Sequence, residues 1–222
     1  MIEHVYRRAA AARSVSAVLV ATDDRRVADA VKAFGGEVWM TRATHRTGTE
    51  RLAEVAESLD CDLVVNVQGD EPLIEPRMID EAVAPLAADA ALPMSTLRRV
   101  IADPAELASP HIVKVVVDRQ DRALYFSRAA IPARRDPGAT TTPAFKHIGL
   151  YVYRREFLLR LAALPPTPLE QAELLEQLRA LEHGFRIVVL ETAYDSIGVD
   201  TPEDLDRVRA ILEQNGVAAA AP

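Results

Sequence analysis

The sequence predicts an α/β fold in which a mostly parallel sheet is wound with helices. Three observations carry this reading. Short β-branched apolar runs alternate with amphipathic segments of about a dozen residues, the rhythm of βαβ units. Glycines fall just past the ends of those segments, as Gly35-Gly36 and Gly184 do, which is where helix C-termini place them. Finally, 49% of the 222 residues are apolar and 27% are charged, enough to build a buried core without a disulfide or metal staple.

The chain reads as one domain over residues 1–222. It opens in a helix, Ile2 to Ala12, with no strand before it. In wound sheets the first strand lies centrally and the loop after it holds phosphate, so that piece is absent at the front. Strands are then expected over Ala17 to Thr22, Glu37 to Thr41 and Leu63 to Gln68. Helices are expected between them, over Arg25 to Phe34 and Thr47 to Leu59, with another over Pro76 to Ala87 and a strand over Ser95 to Val100. The middle is different: Val113 to Val117, Ala123 to Ser127 and Gly149 to Tyr153 read as strands with few helices between them, a β-rich excursion from the wound sheet. The polar stretch from Arg134 to Pro143 has no core-facing pattern and is expected to be mobile. A long helix over Leu169 to His183, a strand over Arg186 to Glu191 and a helix over Pro202 to Glu213 complete the fold, and the tail Gly216 to Pro222 is expected to fray.

Charge and composition exclude several classes. With 26 basic and 33 acidic residues the net charge is −7, which argues against a nucleic-acid partner. The single cysteine, Cys61, forms no intrachain disulfide. No apolar run reaches membrane-spanning length and the N-terminus lacks a signal-peptide layout, so a cytoplasmic enzyme or binding domain without a membrane partner is expected. P-loop, dinucleotide and nucleophile-elbow motifs are absent.

The strongest local feature is Val64-Val65-Asn66-Val67-Gln68-Gly69-Asp70-Glu71-Pro72. An apolar strand runs straight into a carboxylate, and ligands of open α/β sheets bind at the carboxyl ends of strands. Gly69 admits close backbone approach and Pro72 stops the strand. Asp70 so placed suits Mg²⁺, which takes one or two protein carboxylates and fills its shell with phosphate oxygens and water. The competing explanation is a plain acidic turn. A second feature is Ile197-Gly198-Val199-Asp200-Thr201-Pro202-Glu203-Asp204. Helix capping explains Thr201, Pro202, Glu203 and Asp204, and leaves Asp200 over. The third is the loop Thr44 to Arg51, where backbone amides around Thr47 and Gly48, with Arg51, face a phosphate or the edge of a base. A capping box of Thr47 and Glu50 fits the same residues, and the two readings are compatible.

These strings occur in order with Gly48-Thr49-Glu50-Arg51, Leu124-Tyr125-Phe126-Ser127-Arg128-Ala129-Ala130-Ile131-Pro132, Lys146-His147-Ile148-Gly149-Leu150-Tyr151 and Leu175-Glu176-Gln177-Leu178-Arg179. Together they resemble the 3-deoxy-manno-octulosonate (Kdo) cytidylyltransferases, the CMP-Kdo synthetases of lipopolysaccharide assembly, from Met1 to about Leu212. The resemblance implies a Rossmann-like nucleotidyltransferase fold whose β-rich excursion serves dimerisation and sugar binding. It implies a homodimer with CTP and Kdo as small-molecule partners. It further implies that Asp70 and Asp200 are catalytic and ligate Mg²⁺, and that Gln68 lies beside the nucleotide. Arg128 would answer the Kdo carboxylate, while His147, Tyr151, Glu176 and Gln177 would bond the sugar hydroxyls. His147 and Tyr151 are four apart on a strand and share a face. Glu176 and Gln177 are adjacent on a helix, about 100° apart, so only a wide groove uses both.

The sequence departs from the family pattern at the front. The family begins with a strand and a loop of the type Pro-Ala-Arg, then Ser-x-Arg-Leu-Pro-Gly-Lys-Pro, roughly 25 to 30 residues ahead of the position that Met1 matches. A start assigned too late and a truncation both produce this departure. Without that strand, apolar neighbours and two strand edges are expected to be left open, and without the basic loop little turnover is expected. Two rival functions remain at this point: cytidylyl transfer to a related acidic sugar, amino-Kdo or a sialic acid, and a non-catalytic relic acting as a binding module.

Overall fold

A computed structural model describes residues 1–133, 135, 143–199 and 201–214. Asp200, the tail from Gly216 and most of the expected mobile stretch, residues 134 and 136–142, lie outside the described residues.

The chain begins with α1 (Ile2–Ala10), which buries Val5 and Ala9 and pairs Glu3 with Arg7 at 2.7 Å on its outer side. Strand β1 (Val20–Thr22), α2 (Arg25–Ala33) and β2 (Val38–Met40) follow, with β1 and β2 parallel. Asp24 caps α2 by accepting from the Arg26 amide at 2.8 Å. The helix stops where Gly35 takes φ +78°, a conformation that costs glycine little, and the Gly36 amide returns to the Val31 carbonyl at 3.0 Å. Next come α3 (Gly48–Ala56), β3 (Leu63–Asn66), α4 (Pro76–Ala88), β4 (Met94–Val100), α5 (Pro104–Ala108), β5 (Lys114–Val117), β6 (Ala123–Ser127) and β7 (Phe145–Arg154). The chain continues through α6 (Arg155–Ala163), α7 (Pro168–Glu173), α8 (Gln177–Glu182), β8 (Ile187–Glu191) and α9 (Pro202–Gln214).

The main sheet has the order β6-β5-β7-β4-β8, with β3 also paired to β7. Strands β3, β4, β5 and β8 run one way, and β7 and β6 run against them. The sheet therefore keeps the parallel sense of a wound α/β fold, while the long β7 from the β-rich middle inserts antiparallel among the parallel strands. One face of the sheet packs Phe126, Phe157, Leu178 and Ile187 against α3, α6 and α8; the other packs Leu97 and Val152 against Met78 and Ile79 of α4.

Two features differ from the sequence expectation. Helices α5 and α6 are additional, and α6 starts directly at the end of β7 with no turn residues to announce it. The helix expected in one piece over Leu169 to His183 is broken at Leu174, which adopts the left-handed conformation at φ 54°, ψ 50° and is 78% exposed. Its apolar pattern runs on across the break and no glycine or proline marks it. A buried ion pair holds the two halves: Arg179 of α8 donates through Nε to Glu170 of α7 at 2.8 Å, and its Nη2 bonds the other carboxylate oxygen.

The expected open edges are present. Among the described residues β1 pairs only with β2, and β3 pairs only with β7. An apolar cavity of about 500 Å³ separates them, lined by Val18 and Val20 on one side, Leu63 and Val65 on the other, and Val5 and Ile79 from α1 and α4.

Candidate functional site

The carboxyl end of β3, the first turn of α3, the outer half of β7 and the start of α8 converge on a second cavity, of about 230 Å³. Asn66 and Gln68 enter from β3 and the loop after it, Gly48 and Thr49 from α3, Tyr151 and Tyr153 from β7, and Glu176 and Gln177 from α8. The break at Leu174 produces this arrangement. It starts a new helix with Glu176 at its N-cap, so two adjacent residues that would diverge on one long helix line the same hollow.

Tyrosines and histidine share one face of β7. The register of β7 on β4 shifts at Thr96/Leu97, taking Gly149 and Leu150 out of the pairing, yet His147 and Tyr151 stay on the same side with ring centroids 5.3 Å apart. Tyr151 and Tyr153 stack at 5.9 Å, and Phe126 meets His147 edge-on at 5.0 Å. Burial raises the pKa of both tyrosine hydroxyls. Desolvation also lowers His147 to about 3, so its ring is neutral at physiological pH. The buried Thr96 hydroxyl has its single hydrogen directed to the Ile148 and Leu150 carbonyls (3.1 and 2.8 Å), and the His147 Nε2 stands 2.8 Å from the same oxygen. That network assigns the proton to Nε2 and leaves Nδ1 as the acceptor. His147 lies behind Tyr151 rather than in the cavity lining.

Around the mouth, the Thr47 hydroxyl accepts from the Glu50 amide at 3.2 Å, the cap the sequence suggests. The reciprocal half of the box moves by one residue, since Glu50 accepts from the Arg46 amide at 2.9 Å. Gly48 lines the cavity. Arg51 reaches Thr41 Oγ1 at 2.5 Å and Asp23 at 3.2 Å, clamping the ends of β1 and β2 to α3. Arg128 is held against the broken helix: its Nε donates to the Glu173 carbonyl at 2.8 Å, its Nη1 to the Pro110 carbonyl at 3.2 Å, and its amide to the Glu173 carboxylate at 2.9 Å. Burial works against the ionised Glu173, but the Arg128 amide and the Ser127 hydroxyl keep its pKa below the ordinary value.

Asp70 sits half-buried in the turn that follows β3. Its carbonyl accepts from the Val199 amide at 2.9 Å, and the neighbouring Glu71 carboxylate accepts from the Ser196 hydroxyl. The segment 196–199 is thereby docked onto the acidic turn. A Cβ at Gly69 would stand 3.6 Å from Ile2, an ordinary contact, so packing within the chain does not itself demand glycine there. The described residues hold no group of three or more His, Cys, Asp or Glu side chains able to hold a metal ion. A hard carboxylate at a strand end still fits Mg²⁺ delivered with a nucleotide, since that cation needs only one or two protein ligands.

The sequence reading thus places Gln68, Gly48, Tyr151, Glu176 and Gln177 together. Thr47, Arg51, Asp70, Arg128 and His147 lie outside the cavity lining, and Asp200 lies outside the described residues. It missed Thr49, Asn66 and Tyr153, all buried polar residues of the same cavity. For Tyr153 the signal was available: it stands two residues after Tyr151, hence on the same strand face.

Comparison with known proteins adds to this geometry. Residues 1–187 match a family described as cytidylyltransferase. The chain is 61% identical to the 3-deoxy-manno-octulosonate cytidylyltransferase of Geobacter metallireducens over 94% of its own length and 85% of the relative's. It is 55% identical to the protein of the same name from Geotalea daltonii, over 97% of this chain and 89% of that one. Among solved structures it resembles a CMP:2-keto-3-deoxy-manno-octonic acid synthetase in complex with CTP, at a TM-score of 0.91 and 46% identity, covering 96% of this chain and 88% of that chain.

Proposed function

Because the chain belongs to the 3-deoxy-manno-octulosonate cytidylyltransferase family, we infer that it transfers the cytidylyl group of CTP to the anomeric hydroxyl of Kdo. The anomeric oxygen forms a bond to the α-phosphorus as the bond from that phosphorus to the bridging oxygen breaks. The products are CMP-Kdo and pyrophosphate, and the hydroxyl proton is released. Relatives at 61% and 55% identity are named for Kdo, which supports that sugar over amino-Kdo or a sialic acid.

The observation that carries the reading is a buried, unmatched donor. Gln177 is 5% exposed, lines the cavity, and its Nε2 has no hydrogen-bond partner among the described residues. A buried amide left so costs about 1–3 kcal/mol, which a polyhydroxylated ligand in the cavity recovers. Glu176 accepts and Gln177 donates, so the pair reads two neighbouring hydroxyls, with the Tyr151 hydroxyl as a third contact. Arg128 meets the sugar carboxylate by exchanging its neutral carbonyl bonds for a bidentate ionic pair, the stronger of the two. Gln68 and the amides at Thr47 and Gly48 take the nucleotide, with Arg51 fixing their loop.

Asp70 and Asp200 hold Mg²⁺ in this reading. The docking of segment 196–199 on the Asp70 turn, through the Val199 amide and the Ser196 hydroxyl, supports this reading. When bound, the cation neutralises charge developing on the transferring phosphoryl group. The reaction is set in the cytoplasm, with lipopolysaccharide assembly as the destination of its product. Among the described residues no helix is long and apolar enough to cross a membrane. Two copies pair through the β-rich end, where β6 is the sheet edge and Leu124 is 62% exposed; a solution mass near twice 24.3 kDa is expected, and a monomer mass counts against it.

The deciding assay is pyrophosphate release. It is expected only when CTP, Kdo and Mg²⁺ are all present. Sugar binding without release would instead favour a binding module.

A further inference from the structure

Behind Arg128 lies a buried ammonium that the reaction scheme leaves unused. Lys114 opens β5 and is 0% exposed, with Ser127 of β6 and Lys146 of β7 as its sheet partners. Its Nζ donates to three carbonyls, those of Ser109 at 2.8 Å, Ile112 at 2.6 Å and Arg128 at 2.5 Å. An ammonium has three hydrogens and accepts nothing, so these bonds spend every donor it has. None of the three goes to a carboxylate. A cation so deep is costly, and burial pulls its pKa below the ordinary lysine value.

The three acceptors all bear on Arg128. Ser109 closes α5 and Ile112 leads into β5, so two of the bonds bracket Pro110, whose carbonyl takes Arg128 Nη1 at 3.2 Å. The third holds the main chain of Arg128 itself, just past the end of β6. On its other side the Arg128 amide donates to the Glu173 carboxylate at 2.9 Å and its Nε to the Glu173 carbonyl at 2.8 Å. Lys114 therefore grips both the backbone that carries the guanidinium and the loop on which that guanidinium rests. Bonds from a charged donor are roughly twice as strong as neutral ones, and an apolar side chain filling the same space would make none of them.

We propose that Lys114 is a positioning residue for the acceptor sugar, fixing Arg128 and the 109–112 loop so that the guanidinium meets the sugar carboxylate in one orientation. A bidentate pair needs the planar fork aligned with the carboxylate, so an arginine whose base drifts loses one of its two bonds. The inference rests on the reading that Arg128 contacts the Kdo carboxylate. Contacts made equally in ground and transition states change KM more than kcat, and the sugar carboxylate keeps its charge throughout the transfer.

Steady-state pyrophosphate release tests this in wild type, Lys114→Met, Arg128→Ala and the double variant, with thermal melts alongside. Lys114→Met is expected to raise the KM for Kdo about tenfold, the worth of roughly one hydrogen bond, with kcat and the KM for CTP within about twofold. Arg128→Ala, which removes a charged partner, is expected to raise the KM for Kdo about a hundredfold. The bond from Lys114 to residue 128 is made to its main chain and survives Arg128→Ala. Losses of melting temperature should therefore add, while the KM effects should not: the double variant is expected to match Arg128→Ala in the KM for Kdo within about twofold. Additive KM effects, an unchanged KM for Kdo in Lys114→Met, or a rise in the KM for CTP as large as that for Kdo overturns the proposal. Lys114→Gln, which keeps two amide hydrogens for the carbonyls, carries the same comparison if Lys114→Met does not fold. An unchanged KM for Kdo in Arg128→Ala removes Arg128 from the carboxylate and the proposal with it. A wild type that releases no pyrophosphate with Kdo fells the transfer reading and the proposal together, and the wild-type arm alone tells that case apart.

Discussion

Asp70→Asn is expected to lower pyrophosphate release by about a hundredfold to a thousandfold, roughly 2.7–4 kcal/mol of barrier, with the melting temperature nearly unchanged. The asparagine keeps the shape of the side chain and leaves intact the main-chain bond from Val199 to the Asp70 carbonyl. The substitution removes the carboxylate charge, on which the proposed cation site depends. Titrating Mg²⁺ against both proteins separates a weakened cation site from a damaged fold. A variant turning over within threefold of wild type at saturating Mg²⁺ removes Asp70 from the metal role.

Arg179→Met is expected to destabilise the protein by about 3–5 kcal/mol, because it strands a buried carboxylate. Arg179 is 2% exposed and Glu170 7%, and the guanidinium takes both carboxylate oxygens. After the substitution Glu170 retains the Thr167 amide at 3.1 Å and backbone contacts on the same helix start, but no cation. For a chain of this size the melting temperature should fall by roughly 10 °C. Burial alone would raise the pKa of Glu170, but the bonds from Arg179 and the Thr167 amide hold it below 4.5. The pair's contribution is therefore complete above pH 4.5 and is lost as pH falls through the lowered pKa. Replacing both partners, Glu170→Met with Arg179→Met, should recover most of the loss. A single substitution costing under about 1 kcal/mol would show that water reaches the pair. Because the pair also fixes the break at Leu174, partial unfolding here should weaken the Kdo site before the nucleotide loop.

How much was legible depended on whether the signal was local. The strand end could be read because an apolar run ends abruptly in Gln68-Gly69-Asp70-Glu71-Pro72, and of these Gln68 lines the cavity while Asp70 does not. The alternation of β7 carried His147 and Tyr151 onto one face in spite of the register shift, and would have carried Tyr153 with them. Arg128 was singled out by the family resemblance alone, and nothing local announced that the Glu173 and Pro110 carbonyls would engage it. Glu176 and Gln177 read as adjacent residues about 100° apart on one continuous helix, because the apolar periodicity runs unbroken through Leu174.

By itself the sequence determined the elements and the chemistry they carry. Hydrophobic period, glycine stops and capping residues act within a few positions, so α2, α3, β3 and α4 fall close to where the pattern places them. Only the tertiary structure decided which distant groups meet. Thr49 and Glu176 are 127 residues apart, and no periodic pattern spans that interval. Leu174 takes a left-handed conformation that costs a non-glycine residue roughly 1–2 kcal/mol, and it is held there by an ion pair formed only once α7 and α8 are packed. A local preference was overruled by burial elsewhere, and that reversal turned a helix face into the wall of a site.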